Sequence, residues 1–209
     1  MESNNSFIEL IENSIRKNWD RDALTDYKGI TLQYKDVARK IEKIHIVFQF
    51  AGINPGDKIA ICGRNSANWT ACFLATITYG CVAVPILHEF KPDNIHHIVN
   101  HSESRMLFAG DQIWENLNEQ FMPLLEGIIE LKNFELVVSR SEQLTYAREH
   151  LNEEFGKRYP CRFRAENVSY RREKPEELAV INYTSGTTGY SKGVMLPYRA
   201  IISNVVHIH

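Results

Sequence analysis

Leu178-Ala-Val-Ile-Asn-Tyr183 followed by Thr184-Ser-Gly-Thr-Thr-Gly-Tyr-Ser-Lys-Gly193 is the stretch on which the reading of this chain turns. The first six residues form an apolar run of strand length. The next ten are glycine, serine, threonine, tyrosine and lysine. Gly186 and Gly189 let backbone amides approach a ligand with no Cβ in the way. Thr184, Ser185, Thr187 and Thr188 carry hydroxyl donors, and Lys192 carries a positive charge. A buried strand leading into such a loop is a means of cradling a polyphosphate. Four hydroxyls, two inner glycines and a lysine placed together outweigh the alternative of a flexible surface loop.

Two common nucleotide motifs do not fit. A Walker A loop needs Gly-Lys-Ser/Thr after four spacer residues, whereas Lys192 here follows Ser191 and precedes Gly193. The dinucleotide fingerprint Gly-x-Gly-x-x-Gly is absent as well, and no helix is expected to begin at once.

Outward from the loop, helix-like and strand-like segments alternate. Phe7, Ile8, Leu10, Ile11 and Ile15 recur at helical spacing behind Ser6, a candidate cap. Ala23–Tyr27 and Ile30 flank Lys28-Gly29 as a small hairpin. Thr31 then reads as the N-cap of a long amphipathic helix through Leu32, Val37, Ile41, Ile44 and Phe48, closed by Gly52. Strands are expected at Lys58–Cys62, Cys81–Leu87, Met106–Ala109, Leu136–Ser139, Leu178–Tyr183 and Val194–Leu196. Helices are expected at Ala67–Tyr79, Pro92–Asn100, Gln112–Glu119, Gln143–Phe155 and from Tyr198 onward. Tyr159–Glu176 reads as irregular. The alternation predicts an α/β fold, a mainly parallel sheet flanked by helices. Ligands of such sheets sit beyond the C-terminal strand ends, which points to the loop after Tyr183. The last helix has no strand after it, so the chain reads as cut in mid-fold.

Composition narrows the classes. The 209 residues carry 24 Lys+Arg against 26 Asp+Glu, a net charge of -2, which gives no nucleic-acid footprint. The basic run Tyr170–Lys174 reads as solvated loop. Cys62, Cys72, Cys81 and Cys161 form no C-x-x-C pair, so zinc spacing is absent, and they read as buried thiols of a reducing compartment. The N-terminus lacks the basic start and apolar run of a signal peptide. Asn65–Leu87 holds no charged residue and is long enough to span a bilayer. Its scattered polar residues, Gly80 and Pro85 instead predict a helix followed by a buried strand, and no transmembrane segment. His97 and His101 lie four apart beside His96 but lack a third ligand, so a solvated helix face is expected rather than zinc. Gly-x-Ser-x-Gly is absent, which removes that route to a hydrolase. Trp19, Trp69 and Trp114 are expected in cores or at element ends.

Tyr183-Thr-Ser-Gly-Thr-Thr-Gly-Tyr-Ser-Lys-Gly193 resembles the phosphate-binding signature of the adenylate-forming superfamily, which includes acyl-CoA synthetases, peptide-synthetase adenylation domains and luciferases. Ser191 stands where that signature has proline, and without proline's fixed φ the loop is looser. Upstream, Thr31-Leu-Gln-Tyr-Lys-Asp, Gly56-Asp57-Lys58-Ile59-Ala60, Asn65-Ser66-x-x-Trp69 and Ala83-Val84-Pro85 are similar to further family segments. Asn65, Trp69 and Ile181-Asn182-Tyr183 lean toward the long-chain acyl-CoA synthetase branch. Tyr198-Arg199 departs from the His-Arg pair of many relatives.

The resemblance implies that residues 1–209 are the N-terminal portion of an AMP-binding domain. Its implied reaction joins a carboxylate to ATP as acyl-AMP with loss of pyrophosphate, after which coenzyme A displaces AMP. ATP, Mg2+ and coenzyme A are the implied cofactors and co-substrates, and a fatty or other carboxylic acid the implied partner. Thr184, Ser185, Gly186, Thr187, Thr188, Gly189 and Lys192 would contact the phosphates, with Thr187, Thr188 and Lys192 as the catalytic set and no protein metal ligand. Later family segments for adenine, ribose and the hinge have no counterpart here, so the piece alone is expected to be inactive. A cytoplasmic location follows from the absent signal and the intracellular co-substrates, with loose membrane contact through a fatty substrate. The alternatives are another adenylating enzyme, of carrier-protein or peptide-synthetase type, a P-loop hydrolase, or a non-enzymatic nucleotide-binding module.

Overall fold

The computed structural model describes residues 6–184 and 191–206. Its frame is a seven-stranded sheet built on strands that are buried on both faces. Five of these run parallel: β3 (Lys58–Cys62), β4 (Val82–Ile86), β5 (Ser104–Ala109), β6 (Gly127–Glu130) and β8 (Leu178–Thr184). An antiparallel strand closes each flank, β7 (Leu136–Ser139) beside β6 and β9 (Lys192–Pro197) beside β8. The spatial order is β7-β6-β5-β3-β4-β8-β9.

Successive side chains of each strand feed opposite cores, as the pleat requires. Ile59, Ile61, Ala83, Met106 and Phe108 face one layer. Ala60, Cys62, Val84, Leu107 and Ala109 face the other. A parallel strand covered on both sides has no polar face, which is why these segments are unbroken apolar runs. The first layer is covered by α1 (Phe7–Lys17), α2 (Tyr34–Phe50), α3 (Ala67–Tyr79), α6 (Glu142–Glu149), α7 (Leu151–Arg158) and α8 (Tyr198–Val206). The second is covered by α4 (Pro92–His101), with Ile95, Ile98 and Val99 buried, and by the segment around the short α5 (Asp111–Trp114).

Local chemistry sets the helix ends. Ser6 and Ser66 accept from the amides of Glu9 at 3.0 Å and Trp69 at 3.1 Å, which caps α1 and α3. Gly80 ends α3 at φ +91, and a Cβ there would also meet Arg171 Cδ at 2.9 Å. Asn65–Leu87, the uncharged run, thus folds as α3 and β4. Among the described residues no helix is long and apolar enough to cross a membrane.

Several elements differ from the sequence reading. Thr31 does not cap a helix: Thr31–Gln33 is strand β2, paired antiparallel with β1 (Asp22–Thr25), and α2 begins at Tyr34. Cross-strand pairing outcompetes the cap, and Asp36 accepts from the Gln33 amide at 3.1 Å instead. The expected helix Gln112–Glu119 shrinks to α5 and a 3-10 turn at Glu119–Phe121. The expected helix Gln143–Phe155 breaks at His150 into α6 and α7. Strand β6 was not expected, because Gly127 and Glu130 leave it only two apolar residues. Cys161 is exposed, whereas Cys62, Cys72 and Cys81 are buried. The basic run is not simply solvated: Arg172 pairs with buried Glu12 at 2.9 Å, and Arg171 with Glu177 at 2.6 Å.

Candidate functional site

The loop singled out by sequence joins β8 to β9, which form an antiparallel hairpin in register from Val180↔Leu196 to Thr184↔Lys192. Thr184 and Lys192 therefore face each other across the mouth of the loop, on the same side of the sheet and both exposed. Ser185, Gly186, Thr187, Thr188 and Gly189 lie outside the described residues. The structure thus brings together the two ends of the predicted phosphate-binding set. Because β8 is parallel to β3, β4, β5 and β6, its C-terminal end lies at the same sheet edge as theirs.

Beneath the loop, the hairpin is held from the second layer. Tyr183 is buried, and its hydroxyl lies 2.7 Å from His101 Nδ1 at the end of α4. Burial pushes the Tyr183 phenol upward, so the hydroxyl stays protonated where it meets the imidazole. His101 in turn packs its ring 5.5 Å from that of His97. The histidine pair read as a plain solvated face thus braces the loop's root through one member. A separation of 82 residues hid that contact, and only the helix-face spacing of His97 and His101 hinted at it. Gly193 sits against this tyrosine: a Cβ there would lie 2.9 Å from Ile181 Cγ2 and 3.2 Å from Tyr183 Cζ. The motif's final glycine therefore serves packing in the hairpin.

At the far end of β9, Tyr198 turns into the first core and its hydroxyl donates to the Ile77 carbonyl at 3.0 Å. Arg199 pairs with Glu176 at 2.9 Å. The Tyr-Arg pair that departs from the family pattern therefore anchors the turn from β9 into α8.

A second feature at this sheet edge escaped the sequence reading. Beyond the ends of β3, β4 and β5 lies an open cavity of about 730 Å3. Arg64, His88 and Lys132 line it together with Asp26, Glu89 and Asp111, with Lys132 3.7 Å from Asp111. Gly110 forms part of its wall, and the Gly110 amide donates to the Cys62 carbonyl at 2.9 Å. Gly63 is pressed against Leu131, 2.4 Å from where a Cβ would stand. Two glycines each directly after an apolar strand were the available signal. Among the described residues no three His, Cys, Asp or Glu side chains are grouped to hold a metal ion.

Comparison with known proteins adds a family. The sequence pattern of the family described as "AMP-binding enzyme" matches residues 11–209. The chain is 30% identical over 194 residues to the peroxisomal long chain acyl-CoA synthetase 7 of Arabidopsis thaliana, covering 86% of this chain and 25% of that protein. It is 26% identical over 176 residues to the fatty acid–[acyl-carrier-protein] ligase ScoC of Streptomyces coeruleorubidus, covering 84% of this chain and 30% of that one. The chain therefore spans about a quarter to a third of the length of these relatives. Its fold is similar to that of the anthranilate CoA ligase AuaEII solved with anthranoyl-AMP, with a TM-score of 0.74, 18% identity, and 93% of this chain and 35% of that one covered.

Proposed function

The chain belongs to the AMP-binding enzyme family, and from that premise we propose that its hairpin loop holds the phosphates of ATP while a long-chain fatty carboxylate is activated. The observation that carries this reading is the Thr184↔Lys192 register pair. It sets a hydroxyl and an ammonium on either side of a loop whose remaining residues are glycine, serine, threonine and tyrosine.

The reaction is a substitution at the α-phosphate. The carboxylate oxygen bonds to the α-phosphorus as the bond from that phosphorus to the α,β-bridging oxygen breaks, giving acyl-AMP and pyrophosphate. Such a step needs charge neutralisation and alignment more than covalent catalysis. Backbone amides freed by Gly186 and Gly189, with the hydroxyls of Thr184, Ser185, Thr187 and Thr188, donate to the β- and γ-phosphates as negative charge gathers on them. Lys192 adds a cation from the far side of the loop mouth. Magnesium enters as part of the MgATP substrate, held by the phosphates themselves. Coenzyme A thiolate then attacks the acyl carbon and AMP leaves.

The relatives named as acyl-CoA synthetase and as acyl-carrier-protein ligase support a fatty acid as the substrate. The second of these favours a carrier-protein thiol as the alternative acceptor. We place the reaction in the cytoplasm; the peroxisomal relative makes that organelle the competing compartment, and cell fractionation separates the two. Residues 1–209 form the N-terminal portion of the adenylate-forming domain in this reading and do not complete the reaction alone.

The test is carboxylate-dependent ATP–pyrophosphate exchange by the full natural chain across short, medium and long acids. Exchange seen only with long acids supports the proposal, and the thiol that then releases AMP identifies the acceptor. ATP binding without exchange for any acid would remove the adenylation reading in favour of a binding module. ATP hydrolysis that needs no acid would make it a hydrolase.

A further inference from the structure

On the first-layer side of the sheet, α2, α6, the start of α7 and the turn after β6 enclose a cavity of about 330 Å3. Four cations line it: Arg39, Lys40, Lys43 and Arg148. Its apolar lining includes the buried Ile44, Val47, Phe108 and Ile129. The cations are poorly compensated from within. Arg39 pairs with Asp36 at 3.3 Å. Lys40 lies 4.6 Å over the Phe134 ring, Lys43 donates to the Asn152 amide oxygen at 2.6 Å, and Arg148 donates to the Phe134 carbonyl at 2.6 Å. Among the described residues no carboxylate is ion-paired with Lys40, Lys43 or Arg148, and Glu149, the one acid lining the cavity, is exposed.

Clustered cations over an apolar wall are a costly arrangement with nothing between them. Like charges repel, and partial burial strips hydration. Both effects are visible at the lysines. Burial, helped by the neighbouring Lys43 and opposed by Cys72 and Asp36, holds the Lys40 ammonium below the ordinary lysine range, and burial followed by Arg39 and Arg148 does the same to Lys43. An anionic head group relieves the repulsion and takes up the remaining N–H donors, while an apolar body covers the floor.

We propose that this cavity is a binding site for a small anionic amphiphile, a carboxylate or phosphate head on a short apolar body, separate from the nucleotide loop. Lys43 and Arg148 hold the head and Ile44 and Ile129 receive the body. The loop's strand β8 is three strand spacings from β5 in the sheet, roughly 14 Å. The site stands apart from the adenylation reading, and neither needs the other.

The experiment is a titration of the full natural chain, isotopically labelled at isoleucine methyl groups, with octanoate, octyl phosphate and octyltrimethylammonium. Saturable shifts of Ile44 and Ile129 with the two anions and none with the cation are expected. A preference between the anions identifies the head group. A Lys43→Gln/Arg148→Gln double variant should weaken binding about tenfold or more, and Lys43→Arg/Arg148→Lys should restore most of it. Shifts confined to Ile30 and Ile113, which line the other cavity, would overturn the proposal. So would equal shifts with the cation, or undiminished binding by the double variant. The charge-reversed probe decides the matter without any substitution, should the double variant fail to fold.

Discussion

The centre of the sheet and its β8–β9 hairpin are built to opposite specifications. In β3 four of five residues are buried, and the strand is flanked on both sides by parallel partners. In β9 no residue is fully buried, and Val194 and Met195 are 48% and 66% exposed. The centre is held by side chains that have no choice of face. The hairpin is held by backbone register and by two roots, Tyr183 on His101 and Tyr198 on the Ile77 carbonyl. If the proposed phosphate-binding role of the loop holds, stability and chemistry fall on different strands, and substitutions should divide into those that unfold the protein and those that only silence it.

The largest effect should come from the centre. Phe108 is fully buried between the sheet and Phe48, with ring centroids 6.2 Å apart. Phe108→Ala should cost about 3–5 kcal/mol in urea unfolding. A loss under about 1 kcal/mol would mean that the centre is not the stabilising region.

Next comes a pH effect in the layer that covers the centre. His45 is buried, with Nε2 3.0 Å from the Ala75 carbonyl and 3.1 Å from Thr78 Oγ1. Burial lowers its pKa to about 4, despite the bond to Ala75, which favours the proton. A histidine depressed in the folded state takes up fewer protons there than in the unfolded chain, so stability falls as pH drops from about 6.5 toward 4. Between pH 7 and 5 the loss should be about 2 kcal/mol, and His45→Gln should flatten the curve in that window. An unchanged slope would show that another group sets it.

These two expectations concern what the sequence made legible, and the reasons are physical. Lys58–Cys62, Ala67–Tyr79 and Leu136–Ser139 have the expected bounds because each carries its own signal, an apolar run or a Ser cap with a terminal glycine. Gly127–Glu130 opens on a glycine and closes on a glutamate, which leaves only two apolar residues to mark a strand, and its glycine is required by neighbours far along the chain. A Cβ at Gly127 would meet Leu144 Cδ2 at 2.5 Å and the Val138 carbonyl oxygen at 2.9 Å. Thr31 misled because a hydroxyl before an amphipathic run suits a cap and a strand equally. At the candidate site, the hydroxyls, glycines and lysine of the loop fall in one short window, so the motif itself was readable. Its root on His101, the cavity at the strand ends and the cationic cavity under α2 join residues from distant segments, and no sequence window holds them.

The hairpin should then show the reverse behaviour. Thr187→Ala or Thr188→Ala should raise the barrier to pyrophosphate exchange by about 1–3 kcal/mol, and Lys192→Ala should slow exchange about tenfold. Melting should shift little in each case. Unchanged exchange would detach the loop from the phosphates, and a large loss of stability would erase the contrast with the centre. Smallest of all, Met195→Lys on the exposed strand should change stability by no more than about 0.5 kcal/mol. A larger penalty, measured on the full natural chain, would reveal that this face is covered there.

The pairing of Thr184 with Lys192 carries one more consequence. Residues 185–191 connect two strand ends, Thr184 and Lys192, that the sheet holds roughly 5 Å apart. Their closure entropy is settled when the hairpin folds, not when a nucleotide arrives. Closure cost grows only logarithmically with length, about 0.6 kcal/mol for each doubling. The fold would therefore tolerate a longer loop, so its length is free to answer to the dimensions of a phosphate chain.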